Sequence, residues 1–187
     1  MKNIKLKICG MKDSENITEI SALQPDYLGF IFWEKSKRNM TLDAIPELPE
    51  TIKKVGVFVD ASIQEIATKI NQYQLDIIQL HGNESVIFCK NVKKFSVEVI
   101  KVFSIDSTFN FSVVKEYVLA VDYFLFDTKG KLPGGNGITF DWNVLENYHF
   151  NVPYFLSGGI GTTEIDGLKE FLESPAANKC YGIDVNS

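Results

Sequence analysis

The sequence has no long apolar run, and this absence excludes one class of protein. No apolar stretch reaches the roughly 18 consecutive residues that a membrane-spanning helix requires. It also has no basic cluster larger than Lys35-Ser36-Lys37-Arg38, and its net charge is −5, so a nucleic-acid binder is not expected. Because no signal-like segment precedes the first strand-like run, we expect a cytoplasmic protein.

Cysteine is scarce as well. Cys9, Cys89 and Cys180 form an odd set with no paired spacing, which argues against a disulfide framework and predicts reduced thiols. Linkers, repeats and low-complexity tracts are also missing. The remaining composition, 45 % apolar and 23 % charged over 187 residues, is that of a globular chain and excludes intrinsic disorder. We therefore expect residues 1–187 to form a single domain.

Short runs rich in β-branched and aromatic residues recur along the chain and predict eight strands. They are Ile4–Cys9, Tyr27–Phe32, Lys54–Val59, Asp76–Leu80, Val97–Phe103, Tyr123–Asp127, Val152–Leu156 and Cys180–Val185. The intervals between them favour helices. These are Asp13–Leu23, Ser62–Tyr73, a segment from Asn83 or Ser85 to Val92, Ser107–Leu119, Asp141–Tyr148 and Thr162–Leu172. Thr41–Thr51 is a poor helix candidate because Pro46 and Pro49 interrupt it.

Strands that alternate with helices pair in parallel through right-handed crossovers. Eight such units predict an α/β fold that closes as a (β/α)8 barrel, the TIM barrel. An open doubly wound sheet is the alternative, but it is typically built with fewer strands and a glycine-rich turn after the first one. Here the first strand ends in Cys9-Gly10-Met11-Lys12, which is no dinucleotide fingerprint.

The ends of barrel strands carry the chemistry, and Cys9 ends the first one. Side chains alternate along a strand, so an inward Cys9 predicts an inward Lys5 and Lys7 as well. A lone buried Lys7 would be costly, and we expect Asp184 or Asp127 as its partner. A positive neighbour would make Cys9 a good base or nucleophile, although a small buried core residue is an equally good interpretation.

Other strand ends carry further candidates. Asp127 ends an apolar strand, where a carboxyl group can act as a general acid, although a helix cap is a slightly better interpretation. His81 can bind or transfer a proton, and Arg38 can bind a carboxylate or a phosphate. The alternatives are a structural histidine and a solvated surface charge.

Two glycine-rich segments suit a phosphate group. Gly158 and Gly159 follow the seventh strand and precede a predicted helix, whose free N–H groups favour an anion. The eighth strand ends at Asp184, Asn186 and Ser187, and barrel phosphate sites often use these two loops together. The loop Gly134–Gly137 follows the sixth strand and suits a lid over a ligand.

Taken together, these motifs resemble the phosphoribosylanthranilate isomerase family of tryptophan biosynthesis, in the family's order and across nearly the whole chain. The matching segments are Lys7–Gly10, Asp26–Phe32, Lys54–Val59, Gln79–Gly82, Phe126–Thr128, Gly134–Gly137, Phe140–Trp142, Leu156–Ile160 and Gly182–Ser187. Each of these segments is weak evidence alone, but the ordered set is specific.

The resemblance implies an Amadori rearrangement of N-(5-phosphoribosyl)anthranilate, with Asp127 as general acid and Cys9 as general base. It implies that Arg38 lies near the anthranilate and that His81 lines the pocket. Gly158, Gly159, Asp184, Asn186 and Ser187 would contact the phosphate of this small phosphosugar. No metal or organic cofactor is implied, and we expect a monomer or a homodimer.

The sequence departs from the family pattern in two places. The family commonly has Ser-Pro-Arg where this chain has Ser36-Lys37-Arg38, and loss of the proline predicts a looser loop around Arg38. The family also continues with a further phosphate loop and a last helix, which do not follow Ser187 in this sequence.

Three other functions compete with the isomerase. Indole-glycerol-phosphate synthase is a phosphosugar barrel that uses a Lys/Glu pair, and no matching catalytic lysine stands at a strand end. A non-catalytic phosphosugar-binding barrel is a second alternative. A redox thiol at Cys9 is a third, but no resolving cysteine lies nearby in the sequence.

Overall fold

Eight parallel strands are the framework of the chain in its computed structural model, which describes residues 3–128 and 141–185. The strands are β1 (Lys5–Cys9), β2 (Tyr27–Phe32), β3 (Lys53–Phe58), β4 (Ile77–Leu80), β5 (Glu98–Ile105), β6 (Tyr123–Thr128), β7 (Tyr154–Leu156) and β8 (Cys180–Val185). Each agrees with a predicted run to within two residues at either end.

The sheet closes on itself, because β1 pairs with both β2 and β8. In the closing pair Lys7 lies opposite Asp184 and Ile8 lies opposite Val185. The predicted (β/α)8 barrel is therefore confirmed, and the open doubly wound sheet is excluded. Closure also brings the carboxyl ends of all eight strands to one rim, where the candidate residues were expected to meet.

Four α-helices cover part of the outer face among the described residues. They are α1 (Ser14–Ser21), α2 (Ile63–Tyr73), α3 (Val86–Lys93) and α4 (Ile165–Glu173). Two of them begin at a serine cap: the Ser62 hydroxyl accepts from Glu65 N at 3.1 Å, and the Ser85 hydroxyl accepts from Phe88 N at 3.2 Å. Such caps satisfy N–H groups that the first turn of a helix leaves without partners.

Two predicted helices are instead short 3-10 helices, over Phe111–Tyr117 and Trp142–Asn147. Each follows a residue whose side chain binds the backbone two positions ahead. Asn110 accepts from Ser112 N at 3.0 Å, and Asp141 accepts from Asn143 N at 3.1 Å. This local bond favours a tight turn. A further 3-10 turn at Thr162–Glu164 precedes α4, and residues 41–51 form no helix, as their prolines predict.

Apolar side chains fill both faces of the sheet. Inside the barrel, Tyr27, Val55, Ile77, Ile100, Val102, Leu125 and Phe155 form one buried cluster below the rim. Outside the barrel, aromatic rings pack against one another. The ring centroids of Phe126 and Tyr148 are 5.2 Å apart, and those of Phe111 and Phe126 are 5.5 Å apart. Each fully buried ring of this kind contributes about 1.5–3 kcal/mol. Among the described residues, no helix combines the length and apolarity needed to cross a bilayer.

Candidate active site

Cys9 lies inside the barrel at the carboxyl end of β1. Its side chain is 5 % exposed and packs in one cluster with Ile31 on β2 and Val57 on β3. Lys7, two residues earlier, is completely buried, as the alternation along β1 predicts. The predicted inward orientation of both side chains is therefore confirmed.

The partner of Lys7 is Asp184 on β8. Lys7 Nζ lies 2.8 Å from Asp184 Oδ1, and the two side chains are 0 % and 2 % exposed. Burial lowers the pKa of Lys7, but Asp184 and Cys9 together outweigh it and hold that pKa above its usual value. One of the two predicted partners is thereby confirmed, and Asp184 lies in the barrel interior as the counter-ion of Lys7.

The Cys9 thiol has neighbours that oppose one another. Burial raises its pKa, and the Asp184 carboxylate adds to that effect. Lys7 acts in the other direction through its charge and a hydrogen bond to Cys9, and Arg38 acts through its charge. The net result is a raised pKa, so Cys9 is a strong base once it is deprotonated.

Replacing Lys7 by Met should lower the free energy of unfolding by about 3–5 kcal/mol, because Asp184 then stays buried without its counter-ion. Lys5→Met is the matched control in the same urea titrations. Lys5 also lies on β1 and contacts Asp26 at 2.8 Å, but these side chains are 32 % and 35 % exposed, so we expect a much smaller loss. Equal losses in the two variants would contradict this account of the buried pair.

Arg38 reaches the site from the loop after β2. Its guanidinium Nη1 donates to the Cys9 carbonyl at 3.1 Å, and it lies so close to Gly10 that a side chain there would collide with it. The Ser36 hydroxyl accepts from Arg38 N at 3.1 Å, and Asn39 Oδ1 accepts from Trp33 N at 3.0 Å. These bonds fold the loop locally at the position where the family has a proline, and the expected looseness of the loop stays a prediction.

Asp127 is the penultimate residue of β6, and its side chain is 3 % exposed and turned to the barrel interior like that of Leu125. One carboxylate oxygen accepts from Thr128 N at 2.9 Å. The other, Oδ2, lies 3.6 Å from His81 Nε2, which is longer than a hydrogen bond but within reach of an ion pair if the imidazole is protonated. The charge of Asp127 also raises the pKa of Asp184, so the two carboxyl groups belong to one electrostatic cluster.

The glycine loop after β7 packs against the end of β6. Gly158 and Gly159 both have positive φ, at +94° and +65°, a conformation that favours glycine. Gly161 N donates to Glu164 Oε2 at 2.8 Å, so this chain's own carboxylate takes one N–H group of the loop that was expected to face an anion. Gly158 lies at the rim beside Thr128, and Gly159 follows it.

Gly158→Ala should destabilise the fold by at least about 1–3 kcal/mol through backbone strain alone. The added methyl group would also collide with the backbone and hydroxyl of Thr128. Gly167→Ala is the control, because a methyl group on this exposed position of α4 would meet no atom within 4 Å and should stabilise the helix by roughly 0.5–1 kcal/mol. Thermal and urea unfolding of both variants measure the difference, and a harmless Gly158→Ala would overturn the strained geometry.

Several predicted residues lie outside the part of the chain that the structure describes. These are Asn186, Ser187 and the candidate lid Gly134–Gly137. Cys89 and Cys180, which were interpreted as core residues, are both buried, Cys89 within α3 and Cys180 at the first residue of β8.

Sequence reasoning missed a second buried ion pair, between Lys101 on β5 and Glu84 in the loop after β4. Lys101 stands between the inward residues Ile100 and Val102, so it faces the helix layer and not the barrel mouth. It therefore does not supply the catalytic lysine that an indole-glycerol-phosphate synthase would need. A charged residue within an apolar strand was the signal that could have pointed to it.

Comparison with known proteins bears directly on this site. The family described as N-(5'phosphoribosyl)anthranilate (PRA) isomerase matches residues 6–187, which is nearly the whole chain. The chain belongs to the PRA isomerase family. A relative from Parabacteroides distasonis, named N-(5'-phosphoribosyl)anthranilate isomerase, is 41 % identical over 187 residues, covering 97 % of this chain and 83 % of its own.

Solved PRA isomerase structures have the same barrel. The enzyme from Thermus thermophilus superposes with a TM-score of 0.79 at 23 % identity, covering 97 % of this chain and 86 % of that one. Another phosphoribosyl anthranilate isomerase was solved with reduced 1-(o-carboxyphenylamino)-1-deoxyribulose 5-phosphate. It superposes with a TM-score of 0.74 at 26 % identity and the same coverage of 97 % and 86 %. Sequence relatives and solved structures thus both support the PRA isomerase barrel that the sequence predicts.

Proposed function

We propose that this chain isomerises N-(5'-phosphoribosyl)anthranilate to 1-(2-carboxyphenylamino)-1-deoxyribulose 5-phosphate, a step of tryptophan biosynthesis. Membership of the PRA isomerase family carries the choice of reaction. The observation that carries the mechanism is a buried thiol and a buried carboxyl group at the ends of β1 and β6, joined electrostatically through Lys7 and Asp184. Residues 1–187 act in this proposal as one domain.

Asp127 is the general acid of the first step. It protonates the furanose ring oxygen, the bond from that oxygen to C1 breaks, and the nitrogen lone pair forms the C1=N bond of a protonated imine, because the nitrogen keeps its hydrogen. Its near-complete burial keeps water from competing for the proton. The bond from Thr128 N to the other carboxylate oxygen holds the group in one orientation and stabilises the carboxylate that remains.

Cys9 is the general base of the second step. As a thiolate it removes the proton from C2, and the C–H electrons form a C1=C2 double bond while the C=N electrons return to nitrogen. The resulting enolamine takes a proton at C1 and loses one from the C2 hydroxyl, which leaves the ketone. The substrate's own nitrogen is the electron acceptor throughout, so the atoms and charges balance within the substrate and these two side chains.

Lys7 and Asp184 prepare Cys9 for this step. The ammonium group stabilises the thiolate by charge and by a hydrogen bond, and Asp184 keeps the ammonium group in place. Because Asp184 is already bound to Lys7, its own contact with the phosphate remains a prediction.

The remaining candidates bind the two charged ends of the substrate. Arg38, held above Gly10, suits the anthranilate carboxylate because a guanidinium can donate two parallel hydrogen bonds to it. Gly158 and Gly159 suit the phosphate, since their N–H groups stand at a turn with no side chains in the way. Asn186 and Ser187 follow β8 and complete this site in the proposal.

Turnover of freshly prepared N-(5'-phosphoribosyl)anthranilate by the purified chain tests the proposal. We expect the ketone as the product, identified by its C1 methylene and C2 carbonyl carbon signals in NMR spectra. Binding of the substrate without any ketone would support a non-catalytic phosphosugar-binding barrel and would overturn the isomerase assignment. A redox role for Cys9 would instead appear as reversible oxidation with no isomerisation.

A further inference from the structure

The buried Lys101–Glu84 pair has no part in the chemistry proposed above. Lys101 Nζ and Glu84 Oε2 are 3.0 Å apart, and the two side chains are 3 % and 2 % exposed. Moving two charges out of water is expensive, and such a pair is often no more stable than apolar residues of the same volume. Its stabilising value alone therefore does not account for it, and its contacts indicate another role.

Glu84 holds the backbone of two neighbouring loops. Its carboxylate accepts from Asp60 N at 3.1 Å, in the loop after β3, and from Gly82 N at 3.0 Å, in the loop after β4. The Asp60 carboxylate in turn accepts from Asn83 N at 2.6 Å. The two loops are thus joined by two hydrogen bonds, from Asp60 N to Glu84 and from Asn83 N to Asp60.

Lys101 holds the same loop from the other side of β4. Its ammonium group donates to the Leu80 carbonyl at 3.2 Å and to the Gly82 carbonyl at 2.8 Å. These are the residues directly before and after His81, whose own N–H donates to the Phe58 carbonyl at 2.8 Å. Hydrogen bonds thus hold the backbone at His81 and on both sides of it.

The side chain of His81 faces the proposed general acid. Its Nε2 is 3.6 Å from Asp127 Oδ2, and the side chain is 12 % exposed. Within residues 3–128 and 141–185 this buried nitrogen has no hydrogen-bond partner. An unsatisfied buried nitrogen beside a reacting carboxyl group is poised to bond either to that group or to the substrate.

We infer that Glu84 and Lys101 are positioning residues that hold His81 against Asp127, so that the imidazole orients the acid when the substrate binds. This inference rests on the proposed function, because it assigns a role to the acid of that reaction. The pair acts through backbone hydrogen bonds and touches no reacting atom itself. A displacement of about 1 Å in such a group can reduce the rate on the order of 10²-fold.

Glu84→Gln and Lys101→Met test the inference, with Lys93→Met as the matched control. Lys93, at the end of α3, binds an acid, Asp122, at 2.7 Å, and Asp122 accepts from Val99 N at 2.8 Å. Asp122, like Glu84, binds both a lysine and a backbone N–H group, but this pair is 35 % and 31 % exposed and lies at the opposite end of the strands. Turnover and imidazole ¹⁵N signals are measured on the three variants, and the exposed His149 is the internal reference.

We expect Glu84→Gln and Lys101→Met to shift the His81 imidazole signals, leave those of His149 unchanged, and lower kcat on the order of 10²-fold. Lys93→Met should change neither the signals nor kcat. Unmoved His81 signals in Glu84→Gln, with or without a loss of activity, would overturn the inference. So would a Glu84→Gln variant that does not fold where Lys93→Met does, because the pair would then be a folding element.

The NMR comparison also separates this inference from the proposed function. If the unsubstituted chain does not isomerise the substrate, the proposed reaction fails, and the His81 signals still report whether the pair positions the imidazole. If the chain is active and the signals do not move, only the positioning role fails. Glu84→Gln is near-isosteric and decides the case if Lys101→Met does not fold.

Discussion

Cys9→Ala should lower kcat/KM by roughly 10²–10⁴-fold, because it removes the base that takes the C2 proton and leaves the acid in place. The variant should still fold, since the substitution deletes one sulfur atom from a small cluster with Ile31 and Val57. Steady-state turnover of the purified variant measures the effect. The matched controls are Cys89→Ala and Cys180→Ala, which remove equally buried thiols away from the rim and should keep the activity.

The pH profile gives this prediction a second readout. Burial raises the pKa of Cys9, so the thiolate fraction, and with it kcat/KM, should increase as the pH rises through that pKa. The residual activity of Cys9→Ala should lack this increase. Wild-type activity in Cys9→Ala, or an unchanged profile, would assign the sulfur to the core, which was the alternative interpretation from the sequence.

Asp127→Asn should also reduce kcat/KM by roughly 10²–10⁴-fold, because an amide cannot protonate the ring oxygen. The substitution is isosteric, and the amide oxygen can still accept from Thr128 N, so little loss of stability is expected. Turnover and urea unfolding are measured together, so that a loss of activity can be separated from a loss of fold.

Asp122→Asn is the control for this prediction. Asp122 directly precedes β6, at the other end of the same strand, where it accepts from Val99 N at 2.8 Å and binds Lys93. Its substitution should lower the stability slightly and leave kcat/KM unchanged. A similar loss of activity in Asp122→Asn and Asp127→Asn would show that any damage to this strand impairs turnover, and the role of general acid would lose its support.

The barrel and its interior were predictable because they follow from alternation. A strand of period 2 with Cys9 facing inward also turns Lys7 inward, and a buried ammonium group requires a carboxylate, which Asp184 provides at 2.8 Å. The bounds of the eight strands were predicted to within two residues, because short apolar runs between polar turns are typical of strands.

The local departures were not predictable from periodicity. The segments after Asn110 and Asp141 have the apolar spacing of an α-helix. In each, the Asn or Asp side chain accepts from the backbone N–H two residues ahead, and this local bond favours a 3-10 helix. The loop around Arg38 has no proline at position 37, and its polar side chains bond to the nearby backbone: Ser36 accepts from Arg38 N and Asn39 accepts from Trp33 N. Such local bonds do not follow from a periodic pattern of apolar residues.

The Lys101–Glu84 pair was missed for a related reason. A lysine in a strand between Ile100 and Val102 points away from the barrel interior, and an outward lysine is normally solvated. Only the packing of α3 and the neighbouring loops over β5 makes the position buried. Burial by elements distant in the sequence cannot be inferred from the sequence of one strand. The positioning role proposed for the pair therefore rests on the structure.

Single-turnover conversion of substrate deuterated at C2, followed in the unsubstituted chain and in Cys9→Ala, is the most direct test of the account. We predict that the unsubstituted chain releases the C2 deuterium as it forms the ketone. Cys9→Ala should bind the substrate but release the deuterium no faster than the protein-free background. Release of the C2 deuterium by Cys9→Ala at the rate of the unsubstituted chain would contradict the assignment of Cys9 as the base.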